Sequence, residues 1–435
     1  MFKRLNKRNK FLLLVIVLTL VVNLVSCSEA HSSLEKSLQI VESVPLETEL
    51  GNKKFLDTQT TWLEMIKSAK KSIELETFYI STNQDGPLTP VIEALKDAGK
   101  RGVKVRIISD SNFYKTYPEP LNSLNESKNI TVRIIPFELL AEGVMHAKFF
   151  IVDDNEVFMG SQNFDWRALN HIHELGVKIN SPEIAGEFKK IFELDWKLCD
   201  EKNTEDLADI QNLLNAEQGE VNCKNPVEIN YNGKQARVYP AFSPPILLFK
   251  DMNSEEEEII KLVDSAKKEV WIQVMSYTPI PRNKTKKDSY YEKIDNALRR
   301  AAARGVDVRL LVSNWGTGKK TPYLKSLACF PGIDVRISNI PEYSKGFIPF
   351  ARVEHGKYML VDKDRTLIST ANWEKSYFHN SRNASIIVES PDVNSEMRET
   401  FEKSWSAKTT EEIDLKKFYK RPNIYPKKKK DNGKD

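Results

Sequence analysis

Two short stretches hold the residues best suited to covalent chemistry. One runs from Gly143 to Arg167, GVMHAKFFIVDDNEVFMGSQNFDWR; the other runs from Val353 to Trp373, VEHGKYMLVDKDRTLISTANW. Each presents His-x-Lys, an Asp five residues after the Lys, and an Asn ten residues after that Asp. The sets are His146, Lys148, Asp153, Asn163 and His355, Lys357, Asp362, Asn372. A lone His-x-Lys on a strand is ordinarily a surface pair or a core histidine. Two in register, in a chain with six His, carry more weight. Together they offer two imidazoles, two ammonium groups and two amides, an inventory that suits a phosphodiester. One His would attack phosphorus and become a transient phosphohistidine; the other would protonate the leaving oxygen and then activate water. Lys148, Lys357, Asn163 and Asn372 would hold the non-bridging oxygens. The lysines supply the positive charge, so this chemistry requires no metal or other cofactor, and no carboxylate–His cluster with metal spacing stands in the sequence.

Residues so far apart need a frame. In HAKFFIVD and HGKYMLVD the strand period of two puts His and Lys on one face, and the apolar residues between Lys and Asp bury in a sheet. Each Asp falls at the strand end, where it can serve the fold or orient a His. Around each motif the same plan repeats. Ser68-Ala69-Lys70-Lys71 opens SIELETFYI, as Ser265-Ala266-Lys267-Lys268 opens EVWIQVMSY. In both, a helix with apolar residues at three-to-four spacing (Trp62, Met65, Ile66; Ile259, Ile260, Val263) precedes the strand. EALKDAGKRGVKVRIISD, from Glu93, matches NALRRAAARGVDVRLLVSN, from Asn296, and Gly102 and Gly305 fall at helix C-caps. Closing helices follow, with Trp196 and Trp405 at one interval after His146 and His355, as packing anchors. Strands alternating with helices predict an α/β fold of two pseudo-symmetric lobes, each a mixed or mainly parallel sheet flanked by helices. A duplicated motif near the pseudo-twofold axis would meet its own copy there. His171 and His173 are expected to cap or pack, and His379 is unassigned.

Composition bounds the rest. The chain has 435 residues, 40% hydrophobic and 29% charged, with a formal net charge of +4, so it is globular and carries no overall nucleic-acid footprint. A basic start leads into FLLLVIVLTLVVNLV, from Phe11 to Val25, short for a membrane span and suited to a signal sequence. Residues 1–27 are read as a signal peptide or signal anchor. Three outcomes stay open: lipidation at Cys27 in Leu24-Val25-Ser26-Cys27, ordinary cleavage near Ser28-Glu29-Ala30, or retention as an anchor. Export follows, with membrane association through the N-terminus as a lipoprotein of the cell envelope, or a secreted or endomembrane-lumenal protein. Residues 45–199 form the first lobe, 200–224 an acidic connector, 225–410 the second lobe, and 411–435 a basic tail expected to be disordered. Cys199 and Cys223 flank the connector and could bridge or stay free. No CxxC pair suggests zinc.

The two HxKxxxxD motifs, with Gly160-Ser161-Gln162-Asn163 after the first, resemble the phospholipase D superfamily, whose motifs are called HKD. On GSQNFDWRAL, HELGV, SPPILL from Ser243, ALRRAAARGVDVRLLVSNW and FARVEHGKYML, the chain is similar to one branch, the membrane-anchored lysosomal phospholipase D-like 5′ exonucleases of animals. The resemblance spans Phe55 to Trp405. It implies two phospholipase D-like lobes with the active site at their interface, and His146 and His355 as nucleophile and general acid/base, the first copy usually supplying the nucleophile. It further implies phosphate binding by Lys148, Lys357, Asn163, Asn372 and Ser161, support from Asp153 and Asp362 within the catalytic set, and orientation of a His of the other copy by Glu174. The second copy departs from Gly-Ser-x-Asn, having Ser369-Thr370-Ala371-Asn372, and Thr370 is the candidate replacement for the missing hydroxyl.

Three functional readings follow. The branch resemblance implies a 5′ exonuclease on single-stranded nucleic acid, with Trp315, Trp373, Tyr377 and Phe378 able to stack bases or to pack. The alternative is a phospholipase D or phosphatidyltransferase acting on lipid head groups. A non-enzymatic binding module is disfavoured by intact His, Lys and Asp in both copies.

Overall fold

The computed structural model describes residues 36–200, 207–280 and 290–425. The repeat appears in it as two copies of one sheet. In the first half, β1 (Ser37–Ser43) and α1 (Thr58–Ser68) precede β2 (Ser72–Thr77), α2 (Thr89–Arg101), β3 (Lys104–Asp110) and β4 (Ile130–Ile135). Then come β5 (Phe149–Val152), β6 (Glu156–Gly160), β7 (Glu174–Asn180) and α3 (Pro182–Leu198). The strand order is β4-β3-β2-β5-β6-β7-β1; the first three run parallel and the rest pair antiparallel.

After α4 (Leu207–Asn215), the second half contributes β8 (Val227–Tyr231), β9 (Lys234–Ser243), α5 (Glu255–Ser265), β10 (Glu269–Val274), α6 (Lys293–Ala303), β11 (Asp307–Ser313) and β12 (Ile333–Ser338). It closes with β13 (Tyr358–Val361), β14 (Arg365–Ser369), β15 (Asn383–Glu389), α7 (Pro391–Ser406) and β16 (Thr410–Glu412). Its order, β12-β11-β10-β13-β14-β15-β9, repeats the first half strand for strand. β8 pairs with β9 and meets β1 at Ser37 opposite Asn230, so the two sheets join at one edge.

Local chemistry sets these elements as the sequence reads. Asp57 caps α1 by accepting from the Thr60 N–H, and Trp62, Met65 and Ile66 face the core. α2 ends at Gly102, φ 99°, and Gly305 follows α6 at φ 86°, backbone that residues with a Cβ rarely adopt. Ser181 and Ser390 cap α3 and α7, each followed by Pro. Trp405 is buried and Trp196 half-buried; each takes an Arg over its ring, Arg336 over Trp405 at 4.7 Å and Arg133 over Trp196 at 4.4 Å.

Three boundaries move. The first sheet begins at Ser37, upstream of residue 45, because SLQIVES pairs along the whole of β7. The connector is not merely a linker: α4 places Ile210 and Leu214 in the core. The tail does not leave the globule at 411, since β16 pairs with β12 and Ile413, Tyr419 and Ile424 are buried. These apolar residues are spaced among lysines, and the charge run hid them. Cys199 and Cys223 are free thiols. No helix among the described residues is long and apolar enough to cross a membrane, and Cys27 with its apolar run lies outside them.

Candidate active site

The two motifs meet where each half reaches into the other. The segment before β5 runs beside the start of β15, with the His146 N–H donating to the Arg382 carbonyl at 2.9 Å. Its pseudo-symmetric counterpart runs beside the start of β7, with the His355 N–H donating to the His173 carbonyl at 2.9 Å. Each imidazole is thereby held by a residue of the opposite half. His355 Nδ1 lies 2.7 Å from a Glu174 carboxylate oxygen, and His146 Nδ1 lies 2.9 Å from the Asn383 side-chain oxygen.

Lys148 and Lys357 are fully buried, and each Nζ donates to the carbonyl of the His two residues before it. Burial pushes both ammonium groups down, Lys357 to about 7, against the charge of Glu174. Burial also holds both imidazoles well below their ordinary range, helped by Lys148 and Lys357. Glu174 is pushed up to about 8 by burial, with Lys357 and Lys148 opposing. The side-chain oxygen of Asn163 and both polar atoms of the Asn372 amide are buried with no hydrogen-bond partner in the protein. Leaving such groups unpaired costs about 1–3 kcal/mol each; an anion's oxygen can accept from Asn372 Nδ2, while the two side-chain oxygens need a donor. The cluster thus offers two imidazoles and two lysine side chains to one anion.

The sequence profile described as "Cardiolipin synthase, PLD-like domain" matches residues 62–196 and again 259–405, the two halves that build this cluster. The chain belongs to the phospholipase D superfamily. It is a phosphodiesterase-type enzyme of that superfamily. It is 32% identical over 394 residues to phospholipase D Z of Dictyostelium discoideum, covering 85% of this chain and 89% of that one. It is 31% identical over 381 residues to the 5'-3' exonuclease PLD3 of Xenopus laevis, covering 80% and 74%. The virion nicking-joining enzyme of vaccinia virus (strain Copenhagen) is 29% identical over 391 residues, covering 86% and 89%. Among solved structures, phosphatidylserine synthase of Haemophilus influenzae Rd KW20 shares the fold, with TM-score 0.56, 16% identity, and coverage of 82% and 85%.

Within this phospholipase D fold the motif residues separate into two groups. His146, Lys148, His355, Lys357 and Glu174 gather at the junction of the halves. Asp153 and Asp362 do not. Each stands past the far end of its strand, about 16 Å along the chain from its Lys at roughly 3.3 Å per residue. There Asp153 accepts from the N–H groups of Lys70, Lys71 and Ser72, and Asp362 from those of Lys267, Lys268 and Glu269. They fasten the turn to the neighbouring strand, so they belong to the frame and not to a catalytic set. Ser161 spends its hydroxyl on β7, donating to the Leu175 carbonyl at 3.1 Å and accepting from the Leu175 N–H at 3.0 Å. Thr370 does the corresponding work in the second half, accepting from the Ala384 N–H at 3.1 Å.

His173 packs as expected but charged. Burial alone would lower it, yet Glu354 and Glu42, at 2.6 and 2.9 Å from its two ring nitrogens, raise it to about 10. His171 lies edge-on between Trp166 and Tyr343, and His379 contacts Glu256 at 2.8 Å. Of the candidate stacking rings, Trp373 and Phe378 are core, and Trp315 packs against a small apolar cluster. Tyr377 lies edge-on to the His146 ring at 4.9 Å, opposite Phe78, also at 4.9 Å. Those two rings line a cleft of about 560 Å³ whose walls include Phe113, Asn112, Glu138 and Glu142. Asn383 and Phe78 are the functional neighbours that the motifs do not announce. Asn383 was findable, because it follows Asn372 at the interval by which Glu174 follows Asn163.

Proposed function

We propose that the protein hydrolyses phosphodiesters through a phosphohistidine intermediate, acting as a 5′ exonuclease on single-stranded nucleic acid. The observation that carries the chemistry is the meeting of two buried His-x-Lys pairs, close enough for Lys148, Lys357 and His355 all to act on His146. A phosphodiester placed there gives its non-bridging oxygens to Lys148, Lys357 and the unpartnered Nδ2 donor of Asn372, and its charge offsets the repulsion between the lysines. Nε2 of His146 attacks phosphorus, the N–P bond forms, and the bond to the leaving oxygen breaks as His355 delivers a proton to that oxygen. His355 then takes a proton from water, the new O–P bond forms, and the N–P bond breaks. The bound anion makes the imidazolium of His355 easier to hold than in the empty site, and Glu174 shares its Nδ1 proton.

The nucleic-acid reading is supported by the similarity to an exonuclease and to a nicking-joining enzyme over most of the chain. Phe78, Phe113 and Tyr377 in the cleft beside His146 add surfaces on which a base can stack. One feature favours phospholipid head groups as a second reading. Aromatic walls beside Glu138 and Glu142 also suit a quaternary ammonium.

Purified protein is given a 5′-hydroxyl single-stranded oligonucleotide and, separately, phosphatidylcholine vesicles. Release of mononucleotides without choline supports the exonuclease. Choline release with an intact oligonucleotide overturns it in favour of the lipid enzyme.

A further inference from the structure

The side-chain amide of Asn383 can be oriented without ambiguity. Its Nδ2 lies 2.7 Å from the Tyr377 carbonyl oxygen and 3.4 Å from that of Ser381, and main-chain carbonyls only accept. The NH₂ group must therefore face them, which turns Oδ1 toward His146 Nδ1 at 2.9 Å and toward the Thr370 hydroxyl at 3.0 Å. Thr370 is fixed in turn, since its oxygen accepts from the Ala384 N–H. An oxygen that can only accept requires a proton on Nδ1 of His146. In the neutral ring Nε2 is then bare.

The equivalent place in the other half is held by Glu174, a carboxylate able to stabilise a doubly protonated ring. Asn383 has no charge to offer, and the amide does not take up a proton. Lys148, Lys357 and His355 are the charged or titratable groups that bear on His146, and all of them disfavour a second proton on it.

We propose that Asn383 is a positioning residue that fixes His146 in the Nδ1–H form and leaves the lone pair on Nε2 free to attack phosphorus. This rests on the two-histidine reading above. The unlike neighbours make the two histidines unequal within an otherwise symmetric frame.

Full-length Asn383→Asp and Asn383→Ala are compared with wild type on bis(p-nitrophenyl) phosphate, recording kcat and KM from pH 4 to 9. Asn383→Asp places a carboxylate against Nδ1 with little change of shape. It is expected to move the acid limb of kcat/KM at least one unit to higher pH, with activity recovering above that limb. Asn383→Ala is expected to lower kcat about a hundredfold with KM nearly unchanged. A wild-type acid limb in Asn383→Asp overturns the proposal. Should either variant fail to fold, long-range ¹H–¹⁵N spectra of wild-type protein labelled in histidine, with His146 assigned by His146→Asn, report the tautomer directly. A protonated Nε2 with bare Nδ1 overturns the proposal, and the reverse supports it. Failure of the underlying reading looks different: His146→Ala would then keep full turnover.

Discussion

Glu174, carried by the first half of the chain, lies 2.7 Å from Nδ1 of His355, carried by the second, and both side chains are buried. Each half therefore completes the other's imidazole. Glu174→Gln keeps an acceptor within reach but removes the charge that balances an imidazolium. We expect kcat to fall about 10²- to 10⁴-fold, the range for impaired acid–base catalysis, with KM little changed. Steady-state kinetics on an oligonucleotide checks this; a mainly KM effect would move Glu174 from proton transfer to substrate binding.

The frame and half of the site were legible before any coordinates. Repeat alignment, the Gly102 and Gly305 caps, and the alternation around each HxK located the sheets, because local pattern sets strand faces and helix ends. The roles of the Asp residues were not legible. Spacing fixes how far Asp153 lies from Lys148 along the chain, but not that a four-residue strand carries it away from the pocket. The repeat interval locates Asn383 but not its role. Its function depends on a neighbour more than two hundred residues away in sequence, across a junction that no local pattern describes. The packing of the tail is not legible in the sequence because its few apolar residues are diluted by charge.

Divided labour predicts unlike defects for the two histidines. With a p-nitrophenyl leaving group, which needs no proton, His355→Ala should still release a burst of p-nitrophenol equal to the enzyme concentration, then stall for want of a base. His146→Ala should give no burst. Stopped-flow absorbance reads both, and bursts of equal size in the two variants would make the histidines interchangeable.

Lys357 should impose an alkaline limb. Burial lowers it to about 7, so its ammonium, present below that pH, is lost as pH rises through it. In the free enzyme kcat/KM should therefore decline above about pH 7. The limb on kcat should sit higher, because a bound phosphodiester anion stabilises the ammonium. Lys357→Arg, whose guanidinium stays charged, should remove the limb from whatever activity survives. A limb unchanged in that variant would assign it to another group.

Asp153 should matter for stability and not for chemistry. Partial burial would raise its carboxyl, but the N–H groups of Ser72, Lys71 and Lys70 hold it below its ordinary range. Asp153→Ala should cost about 1–3 kcal/mol in urea denaturation, for the loss of hydrogen bonds to a charged acceptor, while folded enzyme keeps its kcat. A loss of kcat in fully folded protein would return Asp153 to the catalytic set.

His173 ties the halves together with a buried charge. Its ring bridges Glu42 of the first half and Glu354 of the second, next in sequence to the Glu174 that orients His355. Replacing it with Gln leaves two carboxylates short of their counter-charge, and breaking a buried pair of this kind costs about 3–5 kcal/mol. The loss should depend on pH in a defined direction. His173 is raised to about 10 in the folded protein, against roughly 6.5 in an unfolded chain. Between those values the folded state holds the extra proton, so the stability His173 contributes is fully present below about pH 6.5 and is lost as pH rises toward 10. The gap in unfolding free energy between wild type and His173→Gln should accordingly shrink from pH 6 to pH 10. A gap that stays constant would mean that the ring is held neutral and acts only by packing.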